Sequence, residues 1–425
     1  MTETGAAQLH AAANTPPRHT LAYAVVVGLF AVWGLAQWTY TSISPQFMQF
    51  FQLTPTQATG TQVLFNLTYC LLAVPAALLH RKFGYKLGVI FALSIFSLGP
   101  ILLYPAITQH GVLYFLGSVI VIGAGWAWLE TSINPLIVEQ GSRETAVRRL
   151  NLAQAFYPLG LLIGYFASQN LIQSNLQLSA GDMAQTVARP YVWVGLAVLL
   201  LAFLLDQIKF SPIGIQRAAK GTSARDEFRT LLARPDFRIG AAALCVLILA
   251  QSVTWGASFR YVIQELPSAT SAIAGHVFLL SCIIFTVGRF AGTALMYKVE
   301  PNRLLTWCTG ASLILVIGAA SIGGTSGLVC LVSASLFMAP MYATIFGTTI
   351  RDLGPLTKSG SGLLVAAAGI GAALGPLMDQ LVLNISDARA LTIVAGPCFL
   401  VILAFTAAVR RAQPGERLKV LAPQH

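Results

Sequence analysis

The stretch WAWLETSINPLIVEQG, residues 126–141, places a carboxyl, Glu130, at the end of a long uncharged run, VLYFLGSVIVIGAGWAW. A carboxyl closed off from water favours its neutral form, and it sheds its proton when a water-filled cavity reaches it. A lone acid in such a run therefore has the chemistry of a proton carrier. The alternative is a permanent ion pair or a helix-to-helix hydrogen bond. In hydrocarbon an ionisable side chain costs about 3 kcal/mol or more and by default marks function. Amides and rings gather around it at helical spacing. Glu130 and Asn134 are four residues apart; Asn151 and Gln154 are three apart, with Tyr157 next. Gln37, Trp38 and Thr41, with Trp33 and Tyr40, enrich the first apolar run, and Gln251, Trp255 and Ser258 form a similar stripe in the second half. Amides and hydroxyls both donate to and accept from ligand hydroxyls, and an indole stacks on the C–H face of a sugar. Singly, each residue serves equally as glue between helices. Collectively they recur on several helices with no intramembrane cluster of basic residues, a pattern suited to a neutral hydroxylated small molecule. Arg289, in TVGRFAG, either hydrogen-bonds such a ligand or acts as a gate or packing contact to helix ends.

The elements that position these groups follow from composition. Of the 425 residues, 56% are hydrophobic and 10% are charged, which excludes a soluble globular protein with a charged coat. Twelve apolar runs, each about the 20 residues needed to span a bilayer, recur between residues 21 and 409. The expected fold is an all-α integral membrane protein with twelve transmembrane helices in two six-helix bundles. Residues 1–20 form a cytoplasmic tail, 21–208 the first bundle, 209–238 a cytoplasmic linker with one amphipathic helix, 239–410 the second bundle, and 411–425 a second cytoplasmic tail. The two halves correspond: HRKFGYK and YKVEPNR both join second to third spans, and NLAQAFYPLGLLIGYF and SGLLVAAAGIGAALGP are both fifth spans rich in Gly and Pro. Such repeats accompany rocking of one bundle against the other around a site near the midplane.

The net charge of +11 raises the question of nucleic acid, and its distribution answers it. All the Lys and Arg except Arg189, Arg260, Arg289 and Arg389 lie in alternate connections and the two tails. That is the positive-inside pattern, with both termini cytoplasmic in an inner (plasma) membrane; a nucleic-acid surface would cluster its charge on one face of a soluble domain. The six cysteines all fall inside spans without metal or redox spacing and read as small packing residues. GxxxxGK[ST] and HExxH motifs are absent, and no acidic or His cluster sits in a loop, so the pattern implies no metal, no cofactor and no nucleotide-driven pumping. The implied partners are a small-molecule substrate, protons and the lipid bilayer; nothing in the pattern specifies an oligomer.

The turn ALLHRKFGYK is similar to a degenerate copy of the major facilitator loop motif GxLaDRxGrr, with Ala77 for the first Gly, Arg81 for the Asp and Lys82 for the Arg. The blocks GAGWAWLETSINPL, RRLNLAQAFYPLG, TWGASFRYVIQELP, TVGRFAGTALM and APMYATIFGTTIRDLG, in that order, resemble the fucose/proton symporter family of the major facilitator superfamily, from about Trp33 to Asp379. The resemblance implies proton-coupled uptake of a monosaccharide and an acid on both the first and fourth helices. Glu130 matches the fourth-helix acid. The first-helix position, four residues ahead of PQF, holds Thr41. The expected function is a secondary transporter importing a fucose-like or other neutral hexose, with Glu130 as the proton site and Gln37, Trp38, Thr41, Asn134, Asn151, Gln154, Tyr157, Gln251, Trp255 and Arg289 as substrate contacts. Uncoupled uniport is the alternative that the missing acid favours. A membrane-embedded enzyme would need convergent acidic or His groups, whereas the outer loops offer only the scattered Asp182, Glu265 and Asp387.

Overall fold

A computed structural model describes residues 23–35, 37–38, 50–109, 111–173, 188–207, 223–266, 269–383 and 388–411. Thr41 lies outside them, as do the expected N-terminal tail, all of the expected C-terminal tail beyond Arg411, and most of the first half of the linker. The described residues form helices and no strand. The first half contains α1 (Tyr23–Leu35), α2 (Pro55–Phe83), α3 (Tyr85–Thr108), α4 (Val112–Glu139), α5 (Ala146–Gln154), α6 (Phe156–Gln173) and α7 (Arg189–Gln207). The short helix α8 (Ala224–Ala233) follows, and then α9 (Pro235–Glu265), α10 (Ser271–Leu295), α11 (Pro301–Ile322), α12 (Gly324–Met338), α13 (Met341–Ile350), α14 (Thr357–Leu383) and α15 (Ala388–Arg411). Ten helical spans among the described residues are long and apolar enough to cross a membrane. The shorter apolar α1 and the α5–α6 pair fall where the first and fifth spans are expected.

Local chemistry sets the helix limits. A reciprocal cap between Thr54 and Gln57 starts α2, with Pro55 in its first turn. Gly84, at φ 84°, turns α2 into α3, a conformation that a residue with a Cβ rarely adopts. Helix α9 begins at Pro235, inside the stretch expected as linker, because proline suits a first helical turn that has no intrahelical acceptor to lose. Two expected spans are broken where they pass the centre of the molecule. A turn at Ala155 divides α5 from α6, and Pro158 denies the Gln154 carbonyl its usual donor; Ala339 and Pro340 divide α12 from α13.

The halves meet along α2 and α14, and again where α5, α6 and α4 pack on α10 and α13. One of these contacts grows out of a proline. Pro135, inside α4, cannot donate to the Thr131 carbonyl one turn back. Ser361 of α14 donates to that carbonyl instead, at 3.2 Å. Contacts also gather the basic turns at one end of the molecule, here termed the basic side: Arg81 meets Glu227 of α8 at 3.0 Å, Arg148 lies 4.0 Å from the Tyr297 ring, and Lys358 lies 5.3 Å from the Tyr85 ring.

Candidate functional site

Between the halves lies a cavity of about 400 Å³, within the range of small-molecule sites. The first half contributes Trp33, Gln37, Gln62, Phe65, Asn66, Tyr69, Trp126, Glu130, Gln154 and Tyr157. The second contributes Ile248, Gln251, Ser252, Trp255, Phe285, Arg289, Tyr342, Ala368, Ala372 and Pro376. Arg289 is the only basic side chain among these lining residues. Eight of these twenty lining residues are aromatic, and several pack against one another: Trp33 and Tyr157 have centroids 4.7 Å apart, Phe65 stands edge-on to Trp126 at 4.9 Å, and Trp255 to Phe285 at 5.3 Å.

Glu130 is 2% exposed and sits in the middle of a chain of polar contacts that crosses from one half to the other. The Tyr69 hydroxyl donates to its Oε2, and the Tyr342 hydroxyl donates to its Oε1 at 2.5 Å. Asn134, one turn along α4, donates to the same Oε1 at 3.1 Å. Gln154 donates to the Asn134 Oδ1 at 2.9 Å, and Arg289 Nη1 donates to the Gln154 Oε1 at 2.7 Å. A buried carboxyl with both oxygens hydrogen-bonded is tolerated where an unpartnered one is not. Tyr69 comes from α2 and Tyr342 from α13, so the acid bridges both halves as well as facing the cavity. The arrangement can hold a proton next to a space large enough for a small ligand, and its amides and indoles present donors and acceptors without a fixed charge apart from Arg289.

Of the residues expected from the sequence, Gln37, Glu130, Gln154, Tyr157, Gln251, Trp255 and Arg289 line this cavity. Tyr157 donates to the Gln37 Oε1, Trp255 Nε1 donates to Ser335 at 3.2 Å, and Gln251 donates weakly to the Met338 carbonyl at 3.4 Å. The structure places the others differently. Trp38 turns away to pack on Tyr165, with centroids 5.0 Å apart, beside Gly164. Asn134 stands behind the lining and orients Glu130. Asn151 joins the halves on the basic side of the cavity, donating to Thr344 at 3.1 Å and to the Val147 carbonyl at 3.0 Å. Sequence reading missed Gln62, Asn66, Tyr69 and Tyr342. Gln62, Asn66 and Tyr69 have the spacing of a single helix face, a signal open to the same argument that found the other stripes. Tyr342 has no such neighbour.

The family model described as the Major Facilitator Superfamily matches residues 25–376. The chain belongs to that superfamily. Within the Major Facilitator Superfamily it is 30% identical over 407 residues to the L-fucose-proton symporter of Escherichia coli (strain K12), covering 91% of this chain and 92% of that protein. It is 27% identical to a glucose/galactose transporter of Brucella abortus, covering 87% of this chain and 90% of that one. The crystal structure of the superfamily transporter FucP in the outward conformation matches with a TM-score of 0.83 at 29% identity, covering 92% of this chain and 99% of that chain. The proton:xylose symporter XylE shares the fold, with a TM-score of 0.70 at 14% identity. The protein is thus a multi-pass membrane protein of a transporter superfamily.

Proposed function

We propose that the protein imports a neutral monosaccharide, fucose-like or another hexose, by alternating access, with proton coupling through Glu130. The observation that carries this reading is a buried carboxyl in a cavity between two helical halves, its oxygens held by hydroxyls from both. The relatives add weight, since those named above are sugar transporters or symporters. In this reading the halves, residues 21–208 and 239–410, rock about the cavity. Gln37, Gln154, Tyr157, Gln251, Trp255 and Arg289 meet the sugar, Asn134 and Asn151 support them, and Thr41 acts from the first span. The basic side faces the cytoplasm of a plasma (inner) membrane with both termini on that side, as the positive-inside pattern requires.

Uptake into proteoliposomes tests the proposal. With an imposed inside-alkaline gradient, L-fucose, glucose or galactose should accumulate above its external concentration; a protein that only equilibrates these sugars is the uniporter that Thr41, in place of a first-helix acid, favours. Substrate class is tested by competition. A charged group needs a partner when it leaves water, and the cavity offers Arg289, already bonded to Gln154, and no second basic residue. A hexose phosphate should therefore compete at least about tenfold more weakly than its parent hexose, tenfold corresponding to about 1.4 kcal/mol. Equal competition would overturn the neutral-substrate assignment.

A further inference from the structure

A second proline frees a carbonyl that the opposite half takes up, and this one opens onto the cavity. Pro376, inside α14, has no N–H, so the Ala372 carbonyl one turn back loses its helical donor. Asn66 of α2 supplies one from the other half: its Nδ2 donates to the Ala372 oxygen at 3.1 Å. The contact is the same in kind as that between Ser361 and the Thr131 carbonyl, but its setting differs. Thr131 and Ser361 are fully buried and stand outside the lining, as suits glue between helices. Asn66, Ala372 and Pro376 all line the cavity, and Asn66 and Ala372 are only partly buried. Both groups keep spare capacity. A carbonyl oxygen accepts two hydrogen bonds, and a side-chain amide carries a second N–H and an accepting oxygen. Among the described residues, the Ala372 carbonyl is the single hydrogen-bond partner of the Asn66 side chain.

We propose that Asn66 and the Ala372 carbonyl form a diol subsite of the cavity: one sugar hydroxyl donates to the carbonyl, and its vicinal neighbour engages the Asn66 amide. The proposal rests on the monosaccharide reading above and gives that reading a selective corner. The Asn66 nitrogen and the Ala372 oxygen, 3.1 Å apart, are spaced like the two oxygens of a vicinal diol, so neighbouring hydroxyls can meet both at once. A backbone carbonyl accepts and never donates, so the first position demands a hydroxyl. An analogue with hydrogen or fluorine there covers the carbonyl without bonding to it and loses affinity. The corner is also tied to the buried acid. Gly369 lets α14 approach α2 closely, since a Cβ there would meet the Tyr69 Cδ1 at 2.8 Å. Tyr69 lies three residues from Asn66 on the same face of α2 and donates to Glu130. Sugar held here therefore lies one helical turn from a hydroxyl that touches the carboxyl. It also touches both halves, and so favours the states in which α2 and α14 lie together.

Analogue ranking on the purified protein tests the subsite. The probe is whichever of L-fucose, galactose and glucose binds the parent protein most tightly, with its monodeoxy and monofluoro analogues as competitors of the labelled sugar. Replacing the hydroxyl that meets the carbonyl should weaken binding to the parent protein by about tenfold, the scale of one well-placed hydrogen bond. Pro376→Ala returns a helical N–H to the Ala372 oxygen and fills the lone pair that the sugar uses. It should cancel this penalty to within about twofold and leave the penalties at distant carbons unchanged. Asn66→Ala should cancel a penalty at the same or an adjoining carbon. Pro397→Ala, at an exposed proline of α15 outside the cavity, should alter no penalty. The subsite is overturned if every penalty survives Pro376→Ala, if all of them fall together, or if the two variants relieve carbons that are not neighbours. A changed ranking in Pro397→Ala overturns it as well. Asn66→Ala leaves the α14 backbone alone and carries the test by itself if Pro376→Ala does not fold: no penalty relieved in that variant also overturns the subsite. A parent protein that binds none of the three sugars overturns the monosaccharide reading and the subsite with it, whereas binding with an unchanged ranking overturns the subsite alone.

Discussion

Vesicles carrying Glu130→Gln will exchange labelled for unlabelled sugar at close to the parent rate, yet will never concentrate sugar, however steep the imposed pH gradient. Glutamine keeps the size of the neutral acid and can satisfy the same surroundings. Its amide oxygen can accept from Tyr342 and Asn134, and its NH2 can donate to the Tyr69 hydroxyl oxygen, so the contacts that join α4 to α2 and α13 survive in altered sense. What is lost is ionisation. A carrier that cannot release a proton when its cavity opens to one side has no means of linking two gradients. The accumulation ratio should fall to about one, and sugar-induced alkalinisation outside should disappear, while exchange changes by no more than about threefold, the scale of one rearranged hydrogen bond. Thr41→Ala is the contrast: a hydroxyl can bind but cannot carry charge, so this variant should weaken sugar binding at most and keep accumulation intact. If Glu130→Gln vesicles still concentrate sugar, Glu130 is structural and another group or another ion carries the coupling.

The second large effect belongs to Gly362, at the basic end of the α2–α14 seam. A Cβ added there would meet the Ala77 Cβ at 2.5 Å and the Ala73 carbonyl oxygen at 2.8 Å, so the backbones approach as closely as they do because this position has no side chain. Gly362→Leu forces the seam apart. Overpacking typically costs about 1–3 kcal/mol, and here the cost falls on the basic-side-closed state, since parting the halves relieves it. Net uptake should drop by about tenfold or more. Gly310, on α11, supplies the control, because a Cβ there meets nothing within 4 Å; Gly310→Leu should transport normally. Equal uptake by the two variants would show that closure of this seam does not limit the cycle.

The architecture was legible because a span announces itself through length and apolarity, and because basic residues fall in alternate turns. The centre of the site was legible for a related reason: an acid, an amide or a guanidinium in an apolar run is an anomaly, which is how Glu130, Gln154, Gln251 and Arg289 stood out. Tyrosine is not anomalous in such a run, so Tyr69 and Tyr342 passed unmarked, although they hold both oxygens of the acid. Tyr69 was within reach through its spacing with Gln62 and Asn66. Tyr342 was not, since its role depends on α13 packing against α4, a contact between residues distant in sequence. Trp38 shows the opposite error. Adjacent residues on a helix point about 100° apart, so Gln37 facing the cavity sends Trp38 elsewhere, here onto Tyr165. The turn at Ala155 was hidden because the NLAQAFYPLG block reads as one continuous span.

The side-chain amides between Arg289 and Glu130 all point the same way. Arginine donates to the Gln154 oxygen, the Gln154 nitrogen to the Asn134 oxygen, and the Asn134 nitrogen to the carboxyl. Their dipoles thus add head to tail, positive ends toward Glu130, and reversing any one amide would break two bonds at once. Such a row conducts electrostatic influence but insulates against protons, because an amide nitrogen, unlike a hydroxyl or a carboxyl, does not readily take up one proton and pass on another. Any proton that reaches Glu130 arrives through the cavity or past the two tyrosine hydroxyls. Arg289, on the opposite half, can nevertheless sense whether it has arrived.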